Sequence, residues 1–120
     1  MSREILFRIL AALFVGASAY HAAAFFDPAF SQGGAPWRHA AFYGIDLLCA
    51  WFFLKRPLWF VFAFTVLTLE TLRGHGSHAW MLWQTEKRLD WFSIVVIGTV
   101  LYAFLLLAQD AFGRGSRRSA

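Results

Sequence analysis

The sequence predicts an all-α integral membrane protein, with four transmembrane helices in an antiparallel bundle and a short interfacial segment between helices 3 and 4. Three observations predict it. Apolar residues make up 59% of the 120 residues and mean hydropathy is +0.53, against about 45–50% apolar in soluble domains. Charged residues are 15% of the chain, against roughly 25% in soluble proteins. Those charges fall in short clusters between apolar runs, the spacing a bilayer imposes.

The expected elements follow in order. Helix 1 covers about 5–26, long enough for a span of roughly 20 residues. Arg3, Arg8 and the small residues Ala17-Ser18-Ala19 also resemble a signal peptide. The apolar run continues to Phe26, however, beyond the end of an ordinary signal core. Asp27 and Pro28 stop this helix, and Ser31–Pro36 reads as a turn rich in glycine and proline. Helix 2 covers about 37–54 and ends at Lys55-Arg56-Pro57, where proline suits the first turn of helix 3. Helix 3 covers about 57–73, with Gly74 and Gly76 expected to break it. His78–Arg88 is amphipathic, with Trp80 and Trp83 suited to the headgroup zone. Asp90 is a good N-cap for helix 4, about 91–111. Residues 1–112 form one transmembrane domain on this reading, and 113–120 a disordered basic tail.

A single cysteine, Cys49, excludes an intrachain disulfide and a CxxC redox reaction. The net charge of +4 lies at chain ends and turns and not along an aromatic groove, so no nucleic-acid partner is expected. The same charges set orientation. With four spans, Arg3, Arg8, Lys55, Arg56, Arg114, Arg117 and Arg118 share one side, and Arg38, Arg73, Lys87 and Arg88 the other. The positive-inside rule then puts both termini in the cytoplasm, across a bacterial-type inner membrane.

Four antiparallel spans also bring His21, His39, His75 and His78 to the outer side, together with Asp27, Glu70, Glu86 and Asp90. One account is interfacial: such rings sit with polar tip in water and apolar body among headgroups. A second is a ligand or metal site built from His39, Glu70, His75, His78 and His21, with Tyr43, Asp46 and Asp90 supporting it. Two histidines and a carboxylate suit zinc or a transition metal. HExxH and the paired ExxH of di-iron bundles are absent. Haem b between His21 and His39 is a further expectation. Asp46 shares a helical face with His39 and Tyr43, and a mid-bilayer charge is expected to face the bundle interior, near Thr65 and Thr99.

Three functions are therefore expected to compete. One is a small membrane protein binding a ligand or metal at the outer leaflet. Another is an accessory subunit packed against the helices of a larger membrane complex. The third is a homo-oligomeric, proton-coupled transporter or channel using Asp46. No nucleophile, oxyanion hole or cofactor motif singles out a reaction, so the enzyme question stays open.

Overall fold

A computed structural model describes residues 1–31 and 34–119, with side-chain environments through Ser116. Gln32 and Gly33 of the expected first turn, and Ala120 of the expected tail, lie outside the described residues. The described residues form four α-helices and no strands: α1 (Arg3–Phe26), α2 (Pro36–Lys55), α3 (Phe60–Glu86) and α4 (Trp91–Ser119). The chain divides into two compact units, Met1–Pro57 and Leu58–Ala120, each a pair of packed helices.

In the first unit, Ser2 caps α1 by accepting from the Ile5 N–H. Phe7, Leu10, Ala11, Phe14 and Ser18 form its buried stripe, a spacing of three and four that keeps them on one face. Asp27 ends α1, and its Oδ1 accepts from the Ala29 N–H at 2.9 Å, a local turn typical of aspartate. Pro36 opens α2, and Arg56 closes it in the left-handed conformation (φ 51°) with its N–H on the Phe52 carbonyl. Fully buried Phe53 of α2 meets Phe14 at 5.2 Å and Phe7 at 6.3 Å between ring centroids. Arg56 crosses to Glu4 at 3.0 Å and lies over the Phe7 ring. The loop-distal end of the hairpin is thus an aromatic plug closed by an ion pair.

In the second unit, α3 differs from expectation. It does not break at Gly74 and Gly76 but continues to Glu86, so the expected interfacial piece is its last turns. Each helical glycine costs only about 1 kcal/mol. Arg73 clamps Glu70 through two bonds of 2.7 and 2.9 Å, and the helix ends at Lys87 with φ 51°. Asp90 is the expected N-cap of α4, accepting from the Ser93 N–H at 3.2 Å. The α4 helix also runs past the expected boundary at 112, to Ser119. The Arg114–Asp110 pair at 2.7 Å supports that extra turn across one helical step.

Two helices, α1 and α4, are long and apolar enough to cross a membrane. In both units an apolar core also takes in polar side chains, and many large apolar side chains stand outside it. Ser18, His39, Asp46, Thr68 and Ser93 are buried, while Leu48, Trp51, Phe62, Val66, Leu69 and Val95 are exposed.

Candidate functional site

The expected site residues are divided between the two units. In the first, α1 carries His21 and α2 carries His39 and Asp46. His21 Nδ1 and His39 Nδ1 are 3.0 Å apart, a hydrogen bond that makes one ring the donor and the other the acceptor. His21 Nε2 lies 3.6 Å from Asp46 Oδ2. His39 and Asp46 are buried, and neither His39 Nε2 nor Asp46 Oδ2 has a hydrogen-bond partner among the described residues. Ring packing fixes His21: it stacks on Phe42 at 5.4 Å and meets the edge of Tyr20 at 5.2 Å. Tyr20 in turn donates its hydroxyl to the Phe30 carbonyl at 3.0 Å.

An ionised Asp46 selects one pattern of protons. A carboxylate only accepts, so at 3.6 Å, longer than a hydrogen bond, it favours Nε2–H on His21 and a lone pair on Nδ1 through charge alone. His39 then donates Nδ1–H to His21 and keeps its own lone pair on Nε2. That nitrogen sits directly against Gly34, where a Cβ would approach it to 3.0 Å. A side chain there would need the His39 ring to give by a few tenths of an ångström.

Two expectations about this group change. Tyr43 was expected in line between His39 and Asp46, but it is exposed. His21, from the other helix, is the side chain that meets both. The haem reading needs a macrocycle between His21 and His39, and the directly bonded rings, 5.3 Å apart at their centroids, fill that space. Thr65 donates to the Val61 carbonyl at 2.8 Å, one turn back on its own helix.

In the second unit, α3 carries His75 and His78, and the start of α4 carries Asp90 and Ser93. Asp90 Oδ2 accepts twice, from the Ser93 hydroxyl at 2.6 Å and from His78 Nδ1 at 2.7 Å. The Ser93 oxygen has given its hydrogen to Asp90, so it accepts from His75 Nδ1 at 3.0 Å. Burial would raise the Asp90 pKa. The hydrogen bonds from Ser93 and His78 outweigh it and hold the carboxyl below the ordinary aspartate range. Asp90 is therefore a negative hinge between two imidazoles.

Glu70, expected as a ligand, has both oxygens engaged by Arg73. Among the described residues no group of three or more His, Cys, Asp or Glu could hold a metal ion. Of the five expected ligands, His21 and His39 belong to the first unit and Glu70, His75 and His78 to the second. Ser93 was missed altogether. Its signal was the Asp-Trp-Phe-Ser spacing, which puts the hydroxyl back over the N-cap carboxylate. Compared with known proteins, the chain matches no protein family, no curated protein and no solved structure.

Proposed function

We propose that the chain is a four-span inner-membrane protein with both termini cytoplasmic, and that its first unit loads a proton onto Asp46 through His39 and His21. The membrane reading rests on the exposed apolar faces. Phe62, Val66 and Leu69, exposed by 72%, 68% and 61%, form an outward apolar stripe on α3. Leu47, Leu48, Trp51 and Leu54 do the same on α2. These faces suit lipid, and His39 and Asp46 of α2 and Thr68 of α3 are buried. At 1.5 Å per residue, the 20 residues of α2 reach about 30 Å, the hydrocarbon thickness. Asp46 then lies near mid-membrane, about 15 Å from either end of α2.

The observation that carries the proton reading is the contact sequence Asp46–His21–His39, ending on a buried nitrogen that has no partner among the described residues. A proton arriving at His39 Nε2 releases Nδ1–H to His21 Nδ1. His21 then releases Nε2–H to Asp46. Asp46 ends neutral, both rings end in the opposite tautomer, and the reverse steps restore them. On the other side of Asp46 the hairpin interior is filled by Phe7, Phe14 and Phe53, so Asp46 loads and unloads from the His39 end. This arrangement fits a proton-coupled carrier better than an open channel. The metal reading of His39, Glu70, His75 and His78 has no comparable assembly behind it.

The test is a pH jump on the protein in lipid nanodiscs, followed by infrared absorption of the protonated carboxyl. The expected result is a carboxyl signal that disappears in Asp46→Asn and rises more slowly in His39→Phe. A signal identical in Asp46→Asn would overturn the proposal.

A further inference from the structure

We infer that the second unit holds a two-imidazole site for a late first-row divalent transition ion, with His75 and His78 as ligands and Asp90 orienting both. The inference does not rest on the proton reading, which concerns the other unit. Its basis is the proton inventory of four side chains. Asp90 can only accept, so the 2.7 Å contact fixes His78 with its proton on Nδ1. Ser93 donates to Asp90 at 2.6 Å and so receives His75 Nδ1–H at 3.0 Å. In their neutral forms both rings therefore share one tautomer, each with its lone pair on Nε2. The two residues stand three apart on α3, on one helical face.

A carboxylate that holds Nδ1–H while Nε2 remains for a ligand is the supporting arrangement of metal-bound histidine. It fixes the ring and raises its basicity. Here one carboxylate does so for two rings, directly for His78 and through Ser93 for His75. Asp90 is spent on orientation and is not itself a ligand, consistent with the lack of a three-residue group. Water would complete the coordination. The His78 side chain is 35% exposed, whereas that of Asp90 is 8% exposed, so the imidazole has more access to solvent than the carboxylate that holds it. Neutral imidazole suits copper, nickel and zinc, and the affinity order places copper first.

The test uses tag-free, full-length protein in nanodiscs, titrated with Cu²⁺ alone by electron paramagnetic resonance and with Zn²⁺ alone by calorimetry. One ion per chain is expected, with a copper signal split by two imidazole nitrogens. It should be lost in the His75→Ala/His78→Ala double variant and retained in His21→Gln/His39→Gln. Asp90→Ser keeps an N-cap residue but removes the carboxylate, and should weaken binding about 10–100-fold. Binding that survives the loss of His75 and His78 would overturn the inference. So would no binding above empty nanodiscs, or an unchanged affinity in Asp90→Ser with helical content intact.

Discussion

Replacing His21 by phenylalanine is the sharpest test of the first unit, because it removes the two nitrogens and keeps a ring. The ring stacks on Phe42 at 5.4 Å and faces the Tyr20 edge at 5.2 Å, contacts that phenylalanine can also make. What disappears is the 3.0 Å bond to His39 and the 3.6 Å approach to Asp46. His39 Nδ1 then lacks its partner, which costs about 1–3 kcal/mol for a buried polar group. The proton path loses more. Without the bridging ring, His39 and Asp46 stand seven residues apart on α2, about 10 Å along the helix axis and beyond the reach of one hydrogen bond. Protonation of Asp46 after a pH jump should slow at least tenfold, while unfolding in detergent shifts only modestly. His21→Gln, which retains a donor and an acceptor, should lie between. An unchanged rate in His21→Phe would refute the relay, whatever the stability change.

Four further outcomes follow from particular contacts. Phe53→Ala should destabilise the first unit by about 3–5 kcal/mol, seen as earlier unfolding in a denaturing detergent, because Phe53 is fully buried against Phe7 and Phe14. Gly74→Ala and Gly76→Ala should each stabilise α3 by about 0.4–1 kcal/mol, since no atom lies within 4 Å of the added Cβ at either position; thermal melts check this. With chelator present, the second unit should lose stability in acid. The folded Asp90 pKa is depressed, so its contribution is present above the ordinary aspartate range and lost as pH falls through the folded value; Asp90→Ser should flatten that part of the pH–stability curve. Introduced cysteines at Phe30 and Trp80 should be labelled from one side of the membrane and one at Lys55 from the other, with Cys49 silent because it is buried; opposite labelling of Phe30 and Trp80 would exclude four spans.

Helix content was legible because the apolar runs are long and Asp27 and Asp90 act where the sequence puts them. Pro36, by contrast, opens α2 instead of ending the turn before it, and α3 starts at Phe60, three residues after Pro57. The glycines misled. Gly74 and Gly76 look like a break in a linear reading, yet the Glu70–Arg73 clamp and the apolar turns beyond carry α3 to Glu86. The tail misled for a similar reason, since Asp110 and Arg114 are one helical turn apart and hold α4 together past Phe112. Depth was legible for His21 and His39, whose level follows from antiparallel hairpin geometry. Azimuth was not. The face shared by His39, Tyr43 and Asp46 was read from α2 alone, and only the packing of α1 determines that His21 occupies it while Tyr43 turns outward.

The two units use one chemical device in opposite ways, and the difference lies in where the carboxylate stands relative to the rings. In the first, Asp46 approaches Nε2 of His21, so the string of nitrogens runs from the carboxylate through both rings to a buried Nε2 with no partner among the described residues. His21 faces a neighbour with each nitrogen, and His39 keeps Nε2 for an incoming proton. In the second, Asp90 engages the Nδ1 side of both rings, directly and through Ser93, and the two Nε2 atoms are left in parallel. No ring there passes a proton to the other; both are held in one tautomer. A series arrangement suits transfer and a parallel one suits ligation. Swapping the outcomes, with copper bound at His21/His39 and Asp46 indifferent to them, would therefore count against the tautomer argument in both units at once.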